Sequence, residues 1–464
     1  MLTQLKSFAI IGLEGVPITV EVGAIPGDGS IHIVGLGDTA VQESKQRVKL
    51  ALRNAGYRIP AGRTITVNLA PADMKKIGPR FDLAIALGVL ASLQLVVFPE
   101  GAFTCTAFLG ELSLDGTLRH VSGVLSSALA CARCGFQHLI VPTEDGPEAA
   151  LVRGIVTFAP HTLIDVVQML CGEREPDVVH ALPFACAETH EEMDLCDIRG
   201  QQQAKRALEI AAAGGHNLLL CGPPGVGKTL LARALRGILP PLSEREALEV
   251  TQVYSVANLL PRGACLIRAR PFRAVHHTAS AVSIVGGGQV PGPGEISLAH
   301  RGVLFLDELL EFPPHVLEVL RQPLEDRTIT VTRAQGSVTF PADILLVAAL
   351  NPPDESTPSA RRHRQLSRAF IDRFDLMLIV PAVPMEDLQL PRSAHAEGSQ
   401  DVRTRVTRAR HTQSERFRAL PCSTNAGMSV RHLDEFCVLD TEERALLGKA
   451  AERLGLSARA YHRT

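Results

Sequence analysis

The run LLLCGPPGVGKTLLARAL, Leu218 to Leu235, constrains the fold of this chain more than any other stretch. It fits G-x-x-x-x-G-K-[ST], with Gly222, Gly227, Lys228 and Thr229 in the fixed places, between an apolar strand and an amphipathic helix. Glycines let consecutive backbone N–H groups turn inward on phosphates. Lys228 then reaches the β and γ oxygens, and the Thr229 hydroxyl ligates magnesium. The whole turn, Gly222, Pro223, Pro224, Gly225, Val226, Gly227, Lys228, Thr229 and Leu230, is therefore read as the ATP and Mg2+ site. Such a loop needs a parallel sheet, with the ligand at the strand carboxyl ends.

Hydrolysis needs a second set of residues. GVLFLDE places Asp307 and Glu308 at the end of an apolar strand, where Asp307 would hold magnesium and Glu308 would orient or deprotonate the attacking water. A carboxylate pair ending a strand is also found as a solvated edge, a reading that loses force beside a phosphate loop. LLVAALNP brings Asn351 to the end of another buried strand, where its amide can meet both the γ-phosphate and the water. FIDRFD presents Arg373 and LSARAYHR presents Arg459, each of which would pass for a surface arginine if met alone.

At 464 residues the chain exceeds one core. Residues 1–170 alternate strand-like and helix-like runs, as in IHIVGL, TITVNLA and VQESKQRVKLALRNAG, and read as a mixed α/β domain. Residues 171–196 lose all period and read as a linker. Residues 197–384 follow the strand, helix, strand rhythm of the nucleotide domain, and 385–464 are helical and charged, as a small lid.

The 47 basic and 49 acidic side chains nearly cancel, so any nucleic-acid surface must be a local patch. Three places qualify: Arg333 near the tip of the hairpin-like DRTITVTRAQGSVTF, the run Ala360–Arg368, and the run Val402–His411. Each reads equally as a solvated edge or helical face. With no Trp and only three Tyr, base stacking is a poor route. The ten cysteines are scattered, with Cys131 and Cys134 the sole C-x-x-C, and read as buried thiols. The N-terminus lacks a signal-peptide pattern and no run reaches the roughly 18 apolar residues of a spanning helix, so a cytoplasmic protein without a membrane partner is expected.

The order of phosphate loop, acidic pair, Asn, Arg and Arg resembles the AAA+ ATPases. That resemblance implies Asn351 as sensor one, Arg373 as a finger completing a neighbouring subunit's site, Arg459 as sensor two, and a homo-oligomeric ring, a hexamer. The run from Pro271 to Asp343, beginning PFRAVHHTASAVSIVGGGQVPGPGE, is similar to the magnesium-chelatase-like AAA+ group and in particular to the ComM family, also called YifB. IVGLGDTAVQESKQRVKLALRNAGY, ITVNLAPADMKKIGPRFDLAIALGVLAS and GELSLDGTLRHVSGVL point the same way. The family implies a helicase that drives DNA branch migration during natural transformation; a chelatase-like motor subunit or a nucleotide-binding scaffold are the other readings. The fold implied is a Lon-protease-like (ribosomal-S5-domain-2-like) α+β domain, then an AAA+ P-loop parallel sheet with an α-helical lid.

Three departures stand out, one from the Lon-type peptidases that the N-terminal region resembles and two from the ComM family. Lon-type peptidases set a Ser in a G-P-S-A-G turn, with a Lys on a later helix. Here the turn reads Gly78, Pro79, Arg80, Phe81, Asp82, and no lysine falls between Val121 and Cys134, so no peptidase is expected. After the sensor Asn-Pro the family carries a cysteine-rich insertion; NPPDESTPSARRHRQLS has none, so zinc is not expected. In relatives the sensor-two helix continues in apolar turns, whereas this sequence stops at Thr464, which implies a truncated lid and a loosely held Arg459.

Overall fold

The computed structural model describes residues 2–463 apart from 182, 185–192, 262, 289–290, 334–335, 353–366, 390–396 and 421. They form two compact units, the first of Met1–Ala185 with Ala247–Ile267, the second of Cys186–Glu246 with Arg268–Thr464.

The first unit is built on an eight-stranded mixed sheet. Strands β1 (Leu2–Ile11) and β2 (Glu14–Pro26) pair antiparallel from Leu2↔Gly23 to Ile11↔Glu14, around a tight turn in which Gly12 takes φ 60°. β3 (Ile31–Val34) and β4 (Arg63–Ala70) extend it on one side, with helix α1 (Thr39–Asn54) between them in sequence. The Asp38 carboxylate caps α1 by accepting the Val41 N–H, and Val41, Val48 and Leu52 supply the buried stripe. Helix α2 (Asp82–Ser92) is apolar on every side and buries all but one residue. β5 (Thr106–Phe108), a small hairpin of β6 (Glu111–Leu112) and β7 (Leu118–Arg119), helix α3 (Val124–Arg133), β8 (His138–Ile140), helix α4 (Gly146–Ala149), β9 (Val156–Phe158), helix α5 (Leu163–Leu170) and β10 (Val178–Val179) complete the unit; β10, inside the stretch 171–196 expected as a linker, is an edge strand paired with β9.

The turn where a Lon-type peptidase would hold its serine carries two buried charges. Arg80 is enclosed, and burial holds its guanidinium down to about 10. Asp82 accepts from Arg47 Nε at 2.7 Å and from the Leu112 N–H at 3.3 Å, while burial lifts its carboxyl above the ordinary value. Residues Ala247–Ile267, which fall inside the nucleotide domain in sequence, are also part of this unit. Gln252 donates to the Leu13 carbonyl at 2.7 Å, Ser255 to the Glu148 carboxylate at 2.5 Å, and Asn258 Oδ1 bonds His120 Nε2 at 2.9 Å.

The second unit contains a five-stranded, all-parallel sheet. After helix α6 (Gln202–Gly214) come β11 (Leu218–Cys221), helix α7 (Lys228–Ile238) and, beyond helix α8 (Glu244–Val256), which belongs from Ala247 on to the first unit, β12 (Phe272–Val275). A short excursion follows: helix α9 (Ala281–Val285), β13 (Gly286–Gly287), β14 (Gly292–Pro293) and helix α10 (Glu295–Leu298). Then come β15 (Val303–Leu306), helices α11 (Pro314–Val319) and α12 (Arg321–Asp326), the hairpin β16 (Thr328–Arg333) and β17 (Gly336–Pro341), β18 (Leu345–Leu350) and β19 (Leu376–Ile379). The spatial order is β12-β15-β18-β11-β19. β15 and β18 are buried at every residue, so both read as continuous apolar runs, as strands covered on both faces must.

The lid contributes a long helix, Ser399–Arg416, that packs on α6 and α7. Gln413 donates to the Ala213 carbonyl at 3.0 Å, and Arg405 joins Glu209 at 2.7 Å. No helix among the described residues is long and apolar enough to cross a membrane.

Candidate functional site: a phosphate loop at the strand carboxyl ends

Parallel register brings the chemistry to one edge. β11 pairs β18 with Cys221↔Leu350, and β18 pairs β15 with Ala348↔Leu306, so Gly222, Asn351 and Asp307 all leave the sheet on the same side. The Gly222 N–H donates to the Leu350 carbonyl at 3.1 Å, and a Cβ on Gly222 would lie 2.3 Å from the Val380 carbonyl oxygen. Glycine is required there for close backbone approach. Gly225 and Gly227 take φ 83° and 92°, the left-handed region that folds the loop back on itself. Pro223, Pro224 and Gly225 are exposed at the crest, Val226 packs on the core, and Leu230 is exposed on the first turn of α7. That first turn leaves its N–H groups unbonded within the helix and at the positive end of the dipole, a place for an anion.

Lys228 is buried at the start of α7. Its ammonium donates to the Gly222 carbonyl, the Pro223 carbonyl and Asn351 Oδ1, each at 2.8 Å. Burial lowers its pKa from the ordinary lysine value, and the Asp307 charge opposes that fall. Thr229 Oγ1 donates to Asp307 Oδ2 at 3.0 Å, while Asp307 Oδ1 accepts the Glu308 N–H at 3.0 Å. A hydroxyl and a carboxylate oxygen meeting beside a phosphate loop form the donor set that hard magnesium prefers. These residues fit Mg-ATP: cradle, cation and metal donors face one place.

Two features of this edge carry no sequence signal. Glu308 stands at φ 51°, a left-handed conformation unfavourable for a non-glycine residue. Its Oε2 lies 3.4 Å from Nδ1 of His277, whose ring stacks with His276 at 4.1 Å and meets Phe312 edge-on. The run Val275–Thr278 carries no sequence signal for this contact.

Arg373 and Arg459 are elsewhere. The Arg373 carbonyl accepts from Asn217, the residue before β11, which is the opposite end of that strand from Gly222. A four-residue strand separates the two ends by about 13 Å. The Arg373 guanidinium pairs with Glu325, and Arg459 Nη1 joins the same carboxylate oxygen at 2.9 Å. Burial first, and the neighbouring Arg459 second, lower the pKa of Arg373. Among the described residues neither arginine bonds the phosphate loop. Glu325 carries no sequence signal, because a carboxylate on a charged helix resembles any solvated one.

The hairpin expected around Arg333 is present as β16 and β17, but the Arg333 side chain lies outside what the structure describes. Most of Ala360–Arg368 does so too. Within Val402–His411, Arg405 pairs with Glu209 and Glu397 and Arg410 donates to the Ala212 carbonyl, while Arg408 is exposed.

Three family profiles match the chain. Residues 194–388 match "Magnesium chelatase, subunit ChlI", residues 20–145 "Subunit ChlI of Mg-chelatase", and residues 396–464 "Magnesium chelatase, subunit ChlI C-terminal". The chain is 44% identical to competence protein ComM of Haemophilus influenzae, over 98% of this chain and 91% of that protein. It is 42% identical to the uncharacterised protein YifB of Salmonella typhimurium, over 98% and 90%. It is also 30% identical to Lon protease 2 of Bacillus subtilis, over 38% of this chain and 35% of that one.

Proposed function

Because the chain belongs to the ComM/YifB family of magnesium-chelatase-like AAA+ ATPases, we propose that it is an ATP-hydrolysing ring motor that acts on DNA, driving branch migration during recombination. The observation that carries the ATPase part is the closed constellation Lys228, Asn351, Thr229, Asp307 and Glu308 at one sheet edge. The DNA part is supported by the printed name of the Haemophilus relative, a competence protein.

In this reading the loop from Gly222 to Leu230 wraps the phosphates and Lys228 holds the β and γ oxygens. Thr229 and Asp307 would hold magnesium, which would supply charge neutralisation to the phosphates when bound. Glu308 takes the proton of the attacking water, and Asn351 orients that water against the γ-phosphate. Arg373, on the other end of the strand, serves the site of a neighbouring copy, so turnover requires a ring. Arg459, sharing Glu325 with it, is presented on the same side.

The test is steady-state ATP turnover with single-stranded, duplex and four-way-junction DNA at stated salt. Stimulation by DNA, lost in Arg373→Ala, is the expected result. Turnover indifferent to all three DNAs would instead favour a chelatase-type motor subunit, the reading that the three matched profiles support.

A further inference from the structure

The parallel sheet of the second unit has another end. Asn217 and Gly302 immediately precede β11 and β15, Leu345 opens β18, and these three help line a cavity of about 100 Å³ on the edge away from Gly222. Four arginines face it, Arg270, Arg301, Arg327 and Arg410, against three carboxylates, Glu246, Asp343 and Asp375.

The pairing among these charges is uneven. Arg270 is committed to structure: it donates to the carbonyls of Pro240 and Arg301 and pairs with Glu246 at 3.3 Å. Arg301 holds Asp343 at 2.6 Å, and Arg327 reaches the other oxygen of the same carboxylate at 3.5 Å. Asp375 pairs with His216 at 3.2 Å. Arg410 pairs with no carboxylate among the described residues; Nε and Nη2 both donate to the Ala212 carbonyl, at 2.9 and 2.8 Å. A guanidinium has five N–H donors, so the rest of its fork is uncommitted. Burial and the nearby Arg270 hold it down to about 10, while the charges of Glu246 and Asp343 oppose that fall without forming an ion pair with it.

A part-buried, unmatched guanidinium lining a small polar cavity is a costly arrangement unless an anion completes it. We propose that this cavity binds a single tetrahedral oxyanion, inorganic phosphate, gripped by Arg410 from the lid and Arg327 from the nucleotide core. Arginine matches phosphate oxygens in pairs, and the two residues stand on the two parts of the unit that the ion would tie together. A backbone phosphate of a nucleic acid offers the same oxygens, and binding of a short oligonucleotide separates the two sources.

The phosphate loop would itself bind phosphate, so the test begins with Lys228→Ala, in which that site is silenced. Phosphorus NMR of inorganic phosphate, titrated at fixed ionic strength, should show saturable line broadening in Lys228→Ala. Adding Arg410→Gln should weaken the binding about tenfold, the loss of one charge-assisted contact. The same titration on the unmutated chain holding a non-hydrolysable ATP analogue fills the loop by a second route and should agree. Absence of saturable broadening in both, or equal affinity with and without Arg410→Gln, overturns the proposal. A short oligonucleotide that binds at Arg410 where phosphate does not also overturns it. Should Arg410→Gln lose its far-ultraviolet dichroism, Arg327→Gln is read instead and must show the weakening.

Discussion

Replacing Asn351 by alanine separates catalysis from binding, because of how Lys228 is held. The ammonium has three protons, and all three are taken, by two loop carbonyls and by Asn351 Oδ1, at 2.8 Å each. A γ-phosphate must displace one of these acceptors, and the side-chain amide is the one that can turn away. Once Oδ1 has left Lys228, the Nδ2 protons remain for the phosphate and the attacking water. Asn351→Ala therefore frees a lysine donor for ATP while removing a donor that acts on charge developing in the transition state. Removal of one such donor costs about 100- to 1,000-fold in kcat. Affinity should fall by less than about tenfold, since the liberated lysine offsets a lost neutral contact. Asn351→Asp should do the reverse, placing a carboxylate against Lys228 where the phosphate must sit, so that binding suffers first. The assay is kcat from steady-state turnover beside Kd from a fluorescent ATP analogue, on assembled protein. A wild-type kcat in Asn351→Ala, or an affinity loss exceeding the loss in kcat, would refute the reasoning.

Lys228→Ala should abolish turnover and weaken nucleotide binding, read by the same pair of assays; full affinity would contradict the cradle. Glu308→Gln should bind ATP normally and turn over about 100- to 10,000-fold more slowly, as expected for loss of a general base, and wild-type turnover would remove Glu308 from that role. Glu325→Ala leaves Arg373 and Arg459 together without their shared carboxylate. Since Glu325 is itself partly exposed, the destabilisation should be about 1–3 kcal/mol, below that of a fully buried pair, seen as a lower midpoint in denaturant; an unchanged midpoint would show the pair to be idle. In the first unit burial raises Glu148 to about 7, and the Asp145 carboxylate raises His120 to about 9. Both groups hold a proton more tightly folded than unfolded, so stability is greatest at low pH and falls as pH rises from about 4.5 through 7 for Glu148 and from about 6.5 through 9 for His120. Protease protection of this unit should decline over that range, and Glu148→Gln should remove the lower part of the decline; a flat profile would contradict the burial argument.

What the sequence discloses and what it hides differ by the range of the interactions involved. The phosphate loop is local: glycines, lysine and threonine stand within one turn between a strand and a helix, and short apolar runs mark β11, β15 and β18 because both faces of that sheet are covered. AAA+ character and the Lon-like first domain are legible for the same reason, through long matched runs. The partners of the site are not local. Glu325 meets Arg459 across 134 positions, and Ser255 meets Glu148 across 107. No periodicity reports such a pair, and a glutamate on a charged helix looks like solvent. Nor does any pattern announce that Ala247–Ile267 belong with the first unit, because α8 is an ordinary amphipathic helix whichever core it covers. The strain at Glu308 is hidden differently: a positive φ at a non-glycine residue is imposed by surroundings, here an Asp307 carboxylate that accepts its N–H.

The position of Arg373 bears on assembly through distance alone. Its backbone is fixed to Asn217 at the entry of β11, while Lys228 lies beyond the exit, and a parallel strand cannot fold its two ends together. An arginine so placed has two uses, a structural pair with Glu325 or service to another copy of the chain. Pairing alone would be satisfied by one arginine, yet Arg459 competes for the same carboxylate oxygen, so each guanidinium keeps donors unspent. If Arg373 serves a neighbouring copy, as proposed, that copy's triphosphate would supply the acceptors that Glu325 cannot.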